Sequence, residues 1–116
     1  MATPNPATDL PDDGRVRERM RLSRTLSRAG YTDVLVLSRA GGRAVLTEPR
    51  IEILDRLRDI SPPSVRALAR DLDRDKGAVS RDLSMLAQFD LVEYDSDGRS
   101  KPPRLKHETV VVEPLV

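Results

Sequence analysis

The thirteen residues from Lys76 to Gln88, KGAVSRDLSMLAQ, hold the side chains best suited to chemistry on a partner. At about 100° per residue along a helix, Gly77, Ser80, Arg81, Ser84 and Gln88 gather on one side, with Lys76 near the start. Such a ridge is small, hydrogen-bonding and cationic. It suits close approach to a nucleic-acid groove, where arginine or lysine pairs with guanine edges or phosphates and serine bonds to either. A helix N-terminus adds backbone N–H groups for a phosphate. Covalent chemistry has little foothold elsewhere. His107 is the only histidine and there is no cysteine, so neither a thiolate metal site nor a nucleophile–base pair is visible. Ser80 and Ser84 have no general base in sequence reach. The expectation is a protein without catalytic residues, metal or cofactor.

The ridge needs elements to present it. Asp75 is placed to cap the helix, and Val79, Leu83 and Leu86 form its buried stripe. Upstream, Ser64 caps a shorter helix with Val65, Leu68, Ala69 and Leu72 on one side. Ala69 is small enough for a second helix to cross close over it. Before that, Thr47 and Pro49 open a support helix expected to bury Ile51, Leu54 and Leu57, with Ile53 beside them, and to end near Ile60 before Pro62 and Pro63. Downstream, Leu91, Val92 and Tyr94 read as a strand, and Asp95, Ser96, Asp97 and Gly98 as a turn. A basic return follows through Arg99, Lys101, Arg104 and Lys106, and Pro102 and Pro103 confine it to an interrupted edge strand. The pattern predicts an α+β chain, mainly helical. Its fold would be a winged helix-turn-helix of three core helices and a β-wing, extended by an N-terminal helix and a C-terminal strand.

The run from Leu46 to Leu105, a little over half of the chain, resembles the DNA-binding core of MarR-like winged-helix transcriptional regulators. Within that group it is similar to small predicted regulators common in archaea, especially halophilic ones. Three pieces carry the likeness: LTEPRIEIL, SVRALARDLDRDKGAVSRDL and LVEYDSDGR. The resemblance implies sequence-specific binding of double-stranded DNA, usually as a homodimer, with Lys76, Ser80, Arg81 and Ser84 on the groove helix and Arg99 on the wing. Gly77, Lys101 and Arg104 complete the expected DNA-binding set on the residue reading. The first third of the chain departs from the likeness, so no effector ligand is implied.

Residues 1–13 hold three prolines without periodicity and are expected to be a loosely attached arm. Residues 14–46 are read as a dimerisation segment and residues 47–116 as the DNA-binding unit with its C-terminal strand. From Arg15 to Ala29, six arginines stand against one glutamate on a helix-compatible pattern, with Gly30 as its stop. That helix could line a dimer seam, the reading ranked first, lie on DNA backbone, or pair with acids of a partner. Val34–Leu37 reads as a strand, and Gly41 and Gly42 as turn residues leading to a second short strand or connector at 43–46. Thr109–Val112 is a strong strand former that would dock on the domain or across a dimer. With 116 residues and one phenylalanine, the chain supports one modest aliphatic core, and stability is expected to lean on a partner copy. No apolar run approaches the roughly 18 residues of a membrane span, so a cytoplasmic protein is expected. The formal net charge of +1 leaves attraction to a polyanion to local arrangement, and Asp75, Asp82, Asp95 and Asp97 lie close to the ridge. These acids support an alternative reading, a winged-helix protein-interaction module that does not bind DNA.

Overall fold

Apolar periodicity, capping residues and turn aspartates divide the chain into nine elements in the computed structural model, which describes residues 14–96 and 101–116. They run α1 (Val16–Arg28), β1 (Val34–Leu37), α2 (Arg39–Val45), α3 (Glu48–Asp59), α4 (Val65–Asp71), α5 (Lys76–Gln88), β2 (Val92–Tyr94), β3 (Pro103–Leu105) and β4 (Thr109–Val112). The chain is α+β and mainly helical, with two small sheets. The arm expected at 1–13 and the part of the expected wing at 97–100, which includes Arg99, lie outside the described residues.

The core is aliphatic and centred on α5. Val79, Leu83 and Leu86 are fully enclosed, as their spacing predicts, against Ile53 and Leu57 of α3 and Leu68 and Ala69 of α4. Leu91, Val92 and Phe89 close the end nearest β2. Burying a leucine or valine side chain this completely contributes roughly 1.5–3 kcal/mol. The serine and aspartate caps form where expected. Ser64 Oγ accepts from Ala67 N at 3.0 Å and Asp75 Oδ2 from Ala78 N at 3.0 Å, each satisfying a first-turn donor. Thr47 stands at the start of α3 without a side-chain cap bond, and Pro49 in the first turn sets the entry instead.

Three helices end the same way. After α1, Tyr31 N donates to Leu26 O and Gly30 N to Ser27 O; after α4, Arg74 N to Ala69 O and Asp73 N to Arg70 O; after α5, Leu91 N to Leu86 O and Asp90 N to Ala87 O. Each is a Schellman closure whose turning residue has positive φ. Gly30 fills this position after α1, and Asp73 and Asp90 fill it after α4 and α5, a conformation aspartate tolerates better than most residues. These two sharp stops fix the α4–α5 turn and the passage from α5 into β2.

Four expectations are corrected or sharpened. Residues 39–45 form a helix and not the return of a hairpin, so Gly41 and Gly42 are buried helix residues rather than turn residues. Ser38 Oγ caps this helix by accepting from Gly41 N at 2.9 Å. A Cβ on Gly42 would stand 3.0 Å from Val112 Cγ2, so the missing side chain lets α2 lie directly on β4. Second, β4 pairs in parallel with β1, in register from Val34 with Thr109 to Leu37 with Val112, which ties the N-terminal segment to the C-terminus within one chain. Third, the buried stripe of α3 is Ile53 and Leu57 with Leu54 half-buried, while Ile51 is 41% exposed. Fourth, Gln88 is not on the open ridge: it is half-buried, and its Oε1 is enclosed without a hydrogen-bond partner. β3 is three residues long and pairs antiparallel with β2, matching Tyr94 with Pro103 and Val92 with Leu105.

One buried acid holds the N-terminal elements to the C-terminal strand. Glu113 is 2% exposed, accepts from Arg39 N at 2.9 Å, and lies 3.3 Å from Arg15 Nε and 3.5 Å from Arg19 Nη1 of α1. Burial alone would raise its carboxyl, but the Arg39 backbone donor and the Arg15 and Arg19 guanidiniums outweigh it and hold the group below the ordinary value of 4.5. A depressed folded-state value means that the stabilisation is complete above pH 4.5 and is lost as pH falls through the lowered value. Glu113→Gln is therefore expected to cost about 1–3 kcal/mol at neutral pH. Urea unfolding at pH 7 and pH 3 checks this: the gap between wild type and variant should shrink at the lower pH.

Candidate nucleic-acid interface

α5 is set in place by an ion-pair strut rather than by packing alone. Asp82 projects from α5 toward the preceding helices, where its Oδ1 lies 3.1 Å from Arg50 Nε of α3 and its Oδ2 lies 2.7 Å from Arg74 Nη2 of the α4–α5 turn. All three side chains are about four-fifths covered. Arg50 Nη1 also donates to Ala44 O at 3.4 Å and Val45 O at 3.3 Å, so the same guanidinium holds the carbonyl end of α2. Asp82 was the acid closest in sequence to the ridge and the one most able to repel a phosphate. Two guanidiniums neutralise it. Asp75 has a structural task as well, since its carboxylate caps α5.

The residues on the far side of α5 are open to varying degrees. Lys76, Arg81 and Ser84 are exposed, and Gly77 and Ser80 are half-buried. Lys76 and Arg81 make no ion pair among the described residues. Gly77 leaves room at the helix start: a Cβ there would stand 3.0 Å from Asp75 Oδ2 and 3.4 Å from Arg81 Nη1. The predicted ridge is thus assembled from Lys76 through Ser84, and it stops before Gln88.

The β2–β3 hairpin stands beside this ridge. Tyr94, the last residue of β2, has its hydroxyl beside Ser84. Burial raises that hydroxyl above its ordinary value of 10.0, and the neighbouring Ser84 opposes the shift without cancelling it. Sequence reasoning placed Tyr94 in a strand but not on the ridge. The available signal was the spacing: Val92 and Tyr94 are two apart and share one face of β2, and Val92 is buried in the core centred on α5, so the same face carries Tyr94 to the α5 side. Of the predicted hairpin cations, Lys101 is exposed with positive φ and no ion pair among the described residues. Arg104 faces Glu93 across the ladder, with Nη2 2.9 Å from Glu93 Oε1, so its charge is already matched. Lys106 Nζ lies 3.0 Å from Asp90 Oδ1 and fastens β3 to the end of α5. His107 Nδ1 lies 2.8 Å from Asp33 Oδ1, which that bond holds below the ordinary aspartate value. Among the described residues, no group of histidine and acidic side chains is arranged to hold a metal ion, and no helix is long and apolar enough to cross a membrane.

Adjacent residues of α5 are thus placed differently: Asp82 is paired and mostly covered, and Arg81 is exposed without an ion pair among the described residues. Asp82→Ala is expected to cost roughly 1–3 kcal/mol, because it strands two mostly covered guanidiniums. Arg81→Ala should stay within about 0.5 kcal/mol of wild type. Thermal unfolding of the two variants beside wild type checks the contrast.

Residues 45–112 match the model of the HVO_A0114 protein family, a stretch that runs from the end of α2 to the end of β4. No curated protein and no solved structure matches the chain.

Proposed function

The chain belongs to the HVO_A0114 family, and we propose that it is a transcriptional regulator that binds double-stranded DNA through a MarR-like winged helix-turn-helix. In this reading α3, α4 and α5 are the three-helix core, α5 is the groove helix, and β2 and β3 are the stem of the wing. The observation that carries it is the opposite loading of α5. One side sinks Val79, Leu83 and Leu86 into the core, and the other offers Lys76, Arg81 and Ser84 to solvent beside the hairpin. A major groove about 12 Å wide admits such a helix. Arg81 is assigned to a base edge, Ser80 and Ser84 to bases or sugar–phosphate, and Lys76 and Lys101 to flanking phosphates. Tyr94 flanks Ser84 at the hairpin side of the ridge. The protein acts as a homodimer in this proposal, with its two α5 helices in successive major grooves about 34–36 Å apart.

Selection of bound sites from a random duplex pool with the purified chain tests the proposal. It should return a two-fold symmetric sequence, and no enrichment at low salt would favour the protein-interaction reading instead. On a selected site, Arg81→Ala is expected to lose about 1–3 kcal/mol and to relax preference at one position, while Lys101→Ala should weaken specific and random duplexes alike. Fluorescence anisotropy over a salt series reads both effects. The Lys101 variant should reduce the log–log slope by about 0.9.

A further inference from the structure

α1 is an amphipathic helix that its own chain leaves half unused. Leu22 and Leu26 are half-buried, and Arg15 and Arg19 on the same side reach Glu113, yet no residue of α1 is buried. Val16 is 51% exposed and Met20 53% exposed. Taking about 100° per residue, Val16 and Met20 share one flank, and Arg17, Arg21, Arg24 and Arg28 lie within about 140° of it. All four arginines are exposed and make no ion pair among the described residues. One strip of the helix is therefore apolar and the adjoining strip strongly basic.

The opposite combination occurs between α3 and β4. A groove of about 480 Å³ is lined by Tyr31, Leu46, Ile51, Leu54, Leu105 and Val110. Three of these are open to water: Tyr31 at 53%, Ile51 at 41% and Val110 at 37%. The adjoining surface of α3 is acidic on balance: Glu52 and Asp59 are exposed beside Arg56, whose guanidinium is paired with Asp71. Asp55, on the groove wall, is matched only by Arg58 at 3.5 Å on the surface.

We infer that the Val16–Met20 flank of α1 from a second copy of this chain occupies the α3–β4 groove, with its arginines over Glu52 and Asp59. The exchange is reciprocal, so a two-fold dimer fills both grooves and covers both helices. Charge complementarity selects this occupant. A helix pairing with its own copy through the same strip would instead bring two rows of arginine together, which costs free energy. The inference rests on the dimeric part of the proposed function and names its seam. It does not depend on what α5 binds.

The absence of cysteine from the chain makes disulfide trapping clean. Met20→Cys and Ile51→Cys both fall at exposed positions, so both variants are expected to fold, with circular dichroism and thermal unfolding matching wild type. Sedimentation of the wild-type chain should give a dimer. Mixed and oxidised, the two single variants should form a cross-linked heterodimer, whereas each alone should remain largely uncross-linked. The charge exchange Arg21→Glu should weaken the dimer at least tenfold, and pairing it with Glu52→Arg should recover most of that loss. A monomeric wild type overturns both the seam and the dimer. A dimer in which Met20→Cys alone cross-links overturns this seam and leaves dimerisation and DNA binding standing.

Discussion

The position of α5 depends on Asp82. Its two carboxylate oxygens take guanidiniums from residues 32 and 8 positions away in the chain, so a single side chain joins α3, the α4–α5 turn and α5. Mostly covered charges of this kind are costly when unpaired, and the cost gives the contact its directional force. A hydrophobic stripe alone would tolerate some rotation of α5 about its axis. The strut does not, because rotation would pull a carboxylate away from two cations that have little water to turn to. Arg81 is about 100° around the helix from Asp82, so fixing one residue aims the other. The free fork of Arg50 extends the constraint to the carbonyls of Ala44 and Val45, which brings α2 into the same rigid unit.

Much of the α3–α5 region was legible in the sequence because its determinants are local. Ser64 and Asp75 cap within three residues, and Val79, Leu83 and Leu86 repeat at helical spacing. Where sequence reasoning failed, a distant contact decided the outcome. Gly41 and Gly42 read as a turn, and glycine is a poor helix former. They are helical because Ser38 caps the segment and because Val112, about seventy residues away, fits only against a helix without a side chain at Gly42. The β1–β4 pair is equally remote: nothing near Val34 signals that Thr109 will lie beside it. Ile51 was assigned to the wrong side because α3 has two apolar neighbours, the core under Ile53 and Leu57 and the open groove beside Leu54, and a single stripe cannot describe both.

Exposure along α5 follows helical geometry only in part, for physical reasons. Ser84 and Arg81 are exposed as helical geometry requires, but Gln88 sits at the last position of α5, just before the chain reverses at Asp90, and is half-buried there. The shared face of Val92 and Tyr94 is legible in the sequence, but how far the hairpin reaches over α5 is set by its docking, which has no period to read. Of the four acidic residues that suggested repulsion of a polyanion, Asp82 is engaged as a strut and Asp75 as a cap, while Asp97 lies outside the described residues.

This engagement bears on how a nearly neutral chain could read DNA. Counterion release gives affinity in proportion to the number of phosphates neutralised. Arg50 and Arg74 are held by Asp82, Arg104 by Glu93, Lys106 by Asp90, and Arg56 by Asp71. Near the ridge, Lys76, Arg81 and Lys101 remain without an ion pair among the described residues. On the proposed reading, a single copy therefore has a small sequence-independent term, and most of its discrimination must come from base contacts. Such a surface holds random duplex weakly and gains useful affinity only when two ridges engage together, because joining two modest sites multiplies their binding constants through effective concentration. On that reading the charge distribution favours a dimer: the arginines of α1 lie on the helix proposed to join the copies and not on the ridge, which would leave the ridge selective.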